Sequence, residues 1–507
     1  MIRSVLFLML SLATLALGKN QPPNIVYILA DDMGYGDVSL YNPEGKIPTP
    51  NIDRLGKEGM MFTNAHTPSS VCTPTRYALM TGRYCWRSRL KQGVLLKANE
   101  PSLIEKDRLT VADLLKSAGY KTEMIGKWHI GMKWPEDDQS AEAVDWSAEA
   151  VGGPVDCGFD RFFGVASSLD IPPYTFIDER TVTKLPTERF TEKVRAGPGA
   201  PGFELDEALP TLADEAVASI RAKRDDSTPF FLYFSLTSPH TPIVPTEEYR
   251  GKSGLNLYGD FVMQTDAVVG QILQVLEETG QAEDTLVIFT ADNGCAEAAN
   301  FRQLLKKGHN PSGPWRGAKT SFYEGGHRVP FVLRWPARVK PGGQSNEPVC
   351  VTDFMRTAAA LTDTEMPEDA APDSFDMSHL FLRTEPAGPV RDLIISQSFN
   401  GLFSIADARW KLIPNMSGKS LMSYPNDDQY PDRYDTWQLY DLQNDPGETA
   451  NVYAEHPEEA RRLAKRFLEA VDSGRLTPGP ALQNYEGENR WHQVNSAEEI
   501  LRQTSAN

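Results

Sequence analysis

Two continuous apolar runs constrain the fold of this chain more than any other feature. Asn24 to Ala30 (N-I-V-Y-I-L-A) and Thr285 to Ala291 (T-L-V-I-F-T-A) are unbroken and contain several β-branched residues. Such runs are typical of strands buried on both faces of a parallel sheet, with helices packed above and below it. Further strand and helix patterns lie between the two runs. The sequence therefore predicts an α/β fold with a mostly parallel central sheet.

Polar side chains follow both runs directly. Asp31 and Asp32 end the first run, and Asp292 and Asn293 end the second. Ligands bind beyond the carboxyl ends of strands in open α/β sheets. Three carboxylates and one amide oxygen form a hard ligand set that suits Ca²⁺ or Mg²⁺. Either pair alone is as consistent with a helix cap or a solvated turn, but their common context favours a shared metal site.

The segment around Cys72 predicts the start of a helix. It reads S-S-V-C-T-P-T-R from Ser69 to Arg76, with T-G-R following at residues 81–83. Proline suits the first turn of a helix because its φ is fixed and its missing N–H is not needed there. Cys72 then lies at the N-terminus, where free N–H groups and the helix dipole favour an anion. An isolated cysteine more often fills space in a core.

Three further loops place basic side chains after predicted elements. G-K-W-H-I-G carries Lys127 and His129 beyond a strand at residues 122–125, and S-P-H-T-P carries His240 beyond a strand at residues 230–236. R-G-A-K contains Arg316 and Lys319. Each loop alone is consistent with a plain connection. A histidine at a strand end is nevertheless well placed for proton transfer.

Taken together, these motifs resemble those of the type I sulfatases, which belong to the alkaline phosphatase-like superfamily. The resemblance rests on C-x-P-x-R with T-G-R, on G-K-W-H-x-G, P-H-x-P and R-G-x-K, and on L-Y-D-L-x-x-D-P-x-E near the C-terminus. It implies that a formylglycine-generating enzyme oxidises Cys72 to formylglycine. It also implies that Ca²⁺, in preference to Mg²⁺, is held by Asp31, Asp32, Asp292, Asn293 and the modified Cys72.

The same resemblance implies the catalytic roles. Arg76, Lys127 and Lys319 would hold the sulfate group. His240 or Lys319 would protonate the departing alcohol, and His129 would remove the proton whose loss regenerates the aldehyde. The implied fold is an alkaline phosphatase-like α/β/α sandwich with a smaller C-terminal α+β domain that contains an antiparallel sheet.

The substrate is less well defined by the sequence. G-F-D-R-F-F-G resembles a segment of many type I sulfatases, and the following S-S-L-D-I-P-P-Y is similar to a segment of some bacterial polysaccharide sulfatases, which favours a sulfated carbohydrate. Asp170 is a candidate contact to a sugar hydroxyl, although a turn cap explains it equally well. His309 and Arg316 are further candidate substrate contacts. Residues 178–204 are interpreted as an exposed insertion, and specificity is expected in the loops 133–155, 178–204 and 415–435.

Composition and the termini complete the prediction. Residues 1–18 have the charge and apolar run of a secretory signal peptide, so we expect a periplasmic or extracellular protein. Residues 19–391 are expected to form the catalytic domain and residues 392–507 the smaller one. A net charge of −18, spread along the chain, argues against a nucleic-acid surface, and no later segment is long enough to insert stably into a membrane.

Two other functions remain consistent with the sequence. One is a phosphate or phosphonate monoester hydrolase on the same scaffold, which activity on aryl sulfate and aryl phosphate would distinguish. The other is a non-catalytic protein that binds sulfated glycans and in which Cys72 is never oxidised. The mass of the peptide that contains Cys72 would distinguish the latter.

Overall fold

The computed structural model describes residues 22–136, 144–414, 430–485 and 491–502. The predicted signal peptide and most of the loop 415–435 lie outside these residues. Within the described part of the chain, no helix is both long and apolar enough to cross a membrane. All five cysteines are buried free thiols.

The strands are numbered in chain order. They are β1 Asn24–Ala30, β2 Met60–Phe62, β3 Ala65–His66, β4 Lys121–Lys127, β5 Arg161–Val165, β6 Ile177–Asp178, β7 Thr181–Val182, β8 Glu188–Phe190, β9 Gly197–Gly199, β10 Phe230–Ser235, β11 Thr285–Ala291, β12 Phe331–Arg334, β13 Gly343–Ser345, β14 Val349–Cys350, β15 Ile394–Gln397, β16 Phe403–Ala406, β17 Trp410–Pro414 and β18 Trp437–Asp441.

The α-helices are numbered in the same way. They are α1 Pro50–Lys57, α2 Cys72–Thr81, α3 Val111–Ser117, α4 Ala208–Ala222, α5 Leu257–Glu278, α6 Phe301–Lys306, α7 Glu324–His327, α8 Phe354–Thr362, α9 Ser378–Leu382, α10 Pro457–Ser473 and α11 His492–Arg502.

The central sheet contains ten strands in the order β13-β2-β12-β11-β1-β10-β4-β5-β6-β7. Its five middle strands, β11, β1, β10, β4 and β5, run parallel. Ile28 of β1 pairs with Phe234 of β10 and with Phe289 of β11. This register aligns the carboxyl ends of the three strands at one edge of the sheet, where the polar residues that follow β1 and β11 meet.

The two faces of β1 pack into different cores, as its unbroken apolar character predicts. Ile25, Tyr27 and Leu29 face a core that includes residues of α2, α3 and α8. Val26 and Ile28 face a second core, shared with α4 and α5. Since helices cover both faces of a mostly parallel sheet, the predicted α/β/α sandwich is confirmed.

A smaller antiparallel sheet follows in the order β15-β16-β17-β18, and α10 and α11 pack against it. Tyr84 and Trp86, which follow α2, are part of the core of this smaller unit. The C-terminal α+β part of the fold is thereby also confirmed, and its core is continuous with the segment that leaves α2.

The segment 178–204 is not the plain exposed insertion that its composition suggests. β6 and β7 extend the central sheet, and β8 pairs with β9. Tyr174, Ala200 and Phe203 form a small core and are 1%, 3% and 8% exposed. The many charged residues and glycines of segment 178–204 gave no indication of these apolar contacts in the sequence.

A buried ionic network joins the C-terminal sheet to α7. Lys411 Nζ lies 2.9 Å from Glu324 Oε1 and 2.8 Å from Glu448 Oε1. It also lies 3.1 Å from His327 Nε2, and His327 Nδ1 lies 3.1 Å from His66 Nδ1. Burial and the neighbouring Glu324 raise the pKa of Glu448 to about 7, despite Lys411. Burial alone would raise the pKa of Glu324, but Lys411 holds it well below its usual range.

Candidate active site

The helix α2 begins at Cys72, as Pro74 predicts. Val71 before it is extended, and the helix ends at Gly82, which has a φ of 61°. Cys72 is 3% exposed, and burial raises the pKa of its thiol, although Lys127 and Lys319 oppose this effect. The two ammonium groups therefore lie close enough to Cys72 to stabilise negative charge there.

The carboxylates that follow β1 and β11 form one buried cluster. Ligand atoms of Asp31, Asp32 and Asp292 all lie within 4.8 Å of one another. The N–H of Asp32 donates to Asp292 Oδ1 at 3.2 Å, and Asn293 Nδ2 donates to Asp32 Oδ1 at 2.8 Å. Asp32 has a φ of 66°, a left-handed conformation that is uncommon for a non-glycine residue. Such backbone strain is typical of functional sites.

Each carboxylate of the cluster contacts a cationic side chain. Arg76 donates to Asp292 Oδ2 from Nη2 at 2.8 Å and from Nε at 3.0 Å. Lys127 Nζ lies 2.7 Å from Asp31 Oδ2, and Lys319 Nζ lies 2.6 Å from Asp32 Oδ1. Ion pairs this deeply buried are stable only when charges are closely matched.

The pKa values reflect this crowding of charge. Burial alone would raise the pKa of Asp31, but Lys127, His240 and Arg76 hold it well below its usual range. Burial and the charge of Asp31 raise the pKa of Asp292 to about 7. Burial would lower the pKa of Lys319, but Asp32 beside it raises it well above its usual value.

The cluster also contains oxygen atoms that fit a hard metal ion. Asn293 Oδ1 is buried and has no hydrogen-bond partner among the described residues, and the buried Asp31 Oδ1 makes no hydrogen bond there either, its contact with Arg76 Nη2 being a longer ion pair of 3.5 Å. A buried carboxylate or amide oxygen without a partner is costly, so such atoms call for a ligand. With Asp32 and Asp292 they make an all-oxygen donor set, which suits Ca²⁺ or Mg²⁺ and not a soft metal.

His129 is held as a neutral base. Its Nε2 donates to the carbonyl of Leu95 at 2.9 Å, since a carbonyl oxygen can only accept. Its Nδ1 is then the basic nitrogen, and this atom is buried without a partner in the part of the chain that the structure describes. Burial and then Lys127 lower its pKa well below 6.5. His129 is therefore uncharged near neutral pH and has a free lone pair.

His240 completes the cluster from the loop after β10. Its Nδ1 donates to the carbonyl of Thr241 at 2.5 Å, and its Nε2 lies 3.6 Å from Asp32 Oδ2. Burial lowers its pKa, an effect that Asp32 and Asp31 oppose. An imidazole beside a carboxylate can take up and give a proton, so the site combines acid–base groups with fixed positive charge.

The family follows from this geometry and from similarity to known proteins. A family model described as Sulfatase matches residues 23–364. The chain belongs to the sulfatase family. It is 34% identical over 495 residues to an N-acetylgalactosamine-6-O-sulfatase of Bacteroides thetaiotaomicron, covering 90% of this chain and 94% of the relative. It is 32% identical over 500 residues to human arylsulfatase A, covering 94% and 92%.

A solved structure agrees with this assignment. It is a Bacteroides thetaiotaomicron protein described with the metabolism of multiple glycosaminoglycans, and it matches this sulfatase with a TM-score of 0.77 and 31% identity. The match covers 89% of this chain and 99% of the other. This sulfatase is accordingly a sulfuric ester hydrolase.

Two predicted substrate contacts lie outside the cluster of this sulfatase. His309 is 1% exposed, and it donates from Nε2 to Asp37 Oδ1 at 2.9 Å and accepts the N–H of Lys46 at 3.1 Å. Both of its ring nitrogens are thus engaged within the protein. Proximity to Lys319 in sequence did not indicate where this buried side chain points.

Arg316 is the second of these residues. Its guanidinium lies 3.8 Å from the ring centre of Tyr323 and 4.0 Å from that of Tyr430. It also donates to Asp432 at 3.2 Å and to the carbonyl of Glu448 at 2.9 Å. These contacts place Arg316 at the junction with the C-terminal sheet, and its role as a substrate contact stays a prediction.

One functional residue was missed from the sequence. Ser235 ends β10, and its Oγ donates to the carbonyl of Lys127 at 2.7 Å and also contacts Arg76 Nη1. It thereby links the guanidinium of Arg76 to the backbone of β4 at Lys127. A single hydroxyl at the carboxyl end of the apolar run F-F-L-Y-F-S was the signal that could have identified it.

Proposed function

We propose that this sulfatase releases sulfate from a sulfated carbohydrate with a formylglycine made from Cys72 and a bound Ca²⁺. The observation that carries the proposal is the position of Cys72. It begins α2 and forms one potential ligand group with Asp31 and His240, whose ligand atoms lie within 4.8 Å of one another. A nucleophile precursor, a hard-metal donor set and three cationic side chains thus converge at one strand edge.

Four side chains would hold the Ca²⁺. They are Asp31, Asp32, Asp292 and Asn293, joined by the oxygen of the modified Cys72, and the oxygens of Asp31 and Asn293 that make no hydrogen bond among the described residues support this assignment. The bound ion supplies charge that polarises the sulfate and stabilises an oxygen nucleophile. Mg²⁺ is less suited, because it demands a strict octahedral geometry and retains several waters.

A formylglycine at position 72, made by a formylglycine-generating enzyme, would supply as its hydrate the oxygen that attacks sulfur while the bond from sulfur to the alcohol oxygen breaks. Arg76, Lys127 and Lys319 stabilise the charge that develops on the sulfate oxygens. The contacts of these three side chains with carboxylates at the sheet edge keep them oriented before the substrate arrives. Since Lys319 is half of an ion pair with Asp32, its position is fixed by the same carboxylate that contributes to the metal site.

Two histidines move protons in the proposed reaction. His240 Nε2 lies 3.6 Å from Asp32 Oδ2, and the charge of this carboxylate favours the protonated imidazole, which would serve as the acid for the departing alcohol, a role that Lys319 can share. Because its Nε2 donates to the carbonyl of Leu95, the neutral His129 would accept at Nδ1 the proton whose loss regenerates the aldehyde and breaks the bond to the departing sulfate. His240 would thus act when the alcohol departs, and His129 would act when the aldehyde is regenerated.

The substrate class rests on the relatives and on one loop. N-acetylgalactosamine 6-sulfate is the first sugar to test, because a relative that is 34% identical is named as a sulfatase of that sugar. Asp170 Oδ1 is buried without a partner among the described residues, which supports its role as an acceptor for a sugar hydroxyl. The apolar N-terminal segment supports export to the periplasm or beyond.

The experiment is sulfate release from a panel of sulfated mono- and oligosaccharides, with aryl sulfate and aryl phosphate beside it. The expected result is release from a sulfated sugar that is lost on chelation and restored by Ca²⁺, together with an oxidised residue 72 by peptide mass. Turnover of aryl phosphate in preference to every sulfate ester would overturn the proposal. So would full activity in protein whose Cys72 is unmodified.

A further inference from the structure

One wall of the site is the loop that contains Asp170. The N–H of His129 donates to the carbonyl of Ala166 at 3.0 Å, so this loop begins beside the catalytic histidine. Ser167 and Ser168, the next residues, are each 3% exposed. Asp170 follows, with a side chain that is 18% exposed. The loop therefore runs from the buried site to the protein surface.

A second wall is formed by the chain around Leu95. The carbonyl of Leu95 accepts from His129, and its N–H donates to Thr73 Oγ1 at 3.3 Å, directly after Cys72. Leu95 is 3% exposed, whereas Leu96 is 55% exposed. This chain also leaves the site and reaches the surface within one residue.

Arg195 connects the two walls where they reach the surface. Its Nη1 donates to the carbonyl of Leu96 at 3.4 Å, and its Nη2 lies 3.3 Å from Asp170 Oδ2. Its own N–H donates to the carbonyl of Asp170 at 3.2 Å. The buried Tyr174 fixes this arrangement, because its hydroxyl contacts the carbonyls of Asp170 at 3.1 Å and of Arg195 at 2.5 Å.

The guanidinium of Arg195 is bound by neighbouring residues but remains exposed to solvent. The Arg195 side chain is 49% exposed, and its contacts with Asp170 and Leu96 are both longer than the usual range for charge-assisted bonds. A guanidinium has five N–H donors in a planar fork that matches a carboxylate or a sulfate. Donors therefore remain for an anion that approaches from solvent at the entrance.

We propose that Arg195 binds an oxyanion, a carboxylate or a sulfate, on the sugar next to the one whose sulfate is removed. This inference rests on the proposed function and defines the substrate further, as an oligosaccharide with a second negative charge. Asp170 positions Arg195 through Oδ2, while its buried Oδ1 remains for a hydroxyl of the sugar. Arg195 is a specificity residue, because its contacts reach neither Cys72 nor the metal ligands.

The experiment compares three substrates that share one sulfated hexosamine. The first is the monosaccharide, the second is its disaccharide with a uronic acid, and the third is the same disaccharide with the carboxyl group reduced to an alcohol. The variant is Arg195→Met, which keeps the length and removes the charge. Arg195→Lys restores the charge without the fork, and Arg189→Met removes an exposed arginine from the same segment as a control.

Arg195→Met is expected to raise KM for the uronic acid disaccharide about tenfold or more, with kcat little changed. The monosaccharide and the reduced disaccharide should show no such change. Arg195→Lys should recover part of the loss, and Arg189→Met should resemble the wild type. A disaccharide with a sulfate in place of the carboxylate shows which of the two anions Arg195 prefers.

Three results would contradict parts of this account in different ways. Equal losses on all three substrates would mean that Arg195 only supports the loop, and the inference would be wrong. Unchanged kinetics on the uronic acid and doubly sulfated substrates would also overturn it. If the wild type released sulfate from no sugar, the proposed function itself would fail, and the inference with it.

Discussion

The buried network around Lys411 makes a specific prediction about pH. Glu448 and Glu324 are both 0% exposed and share the ammonium of Lys411. The pKa of Glu448 is raised from 4.5 to about 7, whereas that of Glu324 is lowered. Glu448→Gln removes the titration of Glu448 and leaves that of Glu324, so it isolates the contribution of the Glu448 carboxyl group to stability.

The sign and size of the pH effect on stability follow from the linkage between proton binding and folding. Between pH 4.5 and about 7, the folded state keeps a proton on Glu448 that the unfolded state has lost. The stabilisation is complete below the lower value and disappears as the pH rises through the higher one. A pKa difference of this size corresponds to about 3 kcal/mol, at about 1.4 kcal/mol per unit. As the pH rises from 4.5 to about 7, the free energy of unfolding of the wild type, relative to that of Glu448→Gln, should fall by roughly that amount.

The assay is urea unfolding at a series of pH values from about 4.5 to about 8. Subtracting the variant from the wild type removes shared contributions, including that of Asp292. Glu469→Gln removes a glutamate whose side chain is 64% exposed on α10, and it should parallel the wild type. If the difference between wild type and Glu448→Gln stayed constant over this range, Glu448 would not be the titrating group, and the charge assignment in the network would be wrong.

Three further predictions concern the site and its support. The pKa of Asp292 is about 7, and Ca²⁺ binding displaces the proton that this side chain carries below that pH. Ca²⁺ affinity, measured by calorimetry, should therefore rise by up to about tenfold per pH unit below the pKa of Asp292. An affinity independent of pH would contradict this. His129→Ala should lower kcat by about a hundredfold or more and change KM little, because it removes a base that does not hold the sulfate; a loss confined to KM in steady-state kinetics would count against that role. Arg391→Met should lower the free energy of unfolding by about 3–5 kcal/mol, because it leaves Asp353 charged and buried; a urea midpoint close to that of the wild type would refute it.

Much of the fold was predictable from local patterns. The unbroken apolar runs at β1 and β11 are typical of strands covered on both faces, and Pro74 indicated the first turn of α2. The segment 178–204 was harder, because Phe203 and Ala200 are buried by aromatic neighbours distant in sequence, such as Tyr174. No local pattern reveals which of several small apolar residues a tertiary contact will cover.

The candidate site was predictable to a different extent. Residues that follow a strand, such as Asp31 and Asp292, have positions that the sheet determines, and motifs of a known family indicated Cys72. Arg316 and His309 lie in loops, where side-chain direction depends on partners such as Tyr430 and Asp37. Arg195 could not be predicted, because its contacts with Leu96 and Asp170 join segments that only the folded chain brings together.

The most direct test of the account is sulfate release from N-acetylgalactosamine 6-sulfate and its oligosaccharides by the wild type and by Cys72→Ala, both saturated with Ca²⁺. Cys72→Ala removes the thiol from which the formylglycine is made and should leave the fold and the carboxylate and amide ligands of the metal in place. The wild type should release sulfate with repeated turnover and the variant should release none, although both bind Ca²⁺. Comparable sulfate release by the two proteins would contradict the claim that residue 72 provides the nucleophile.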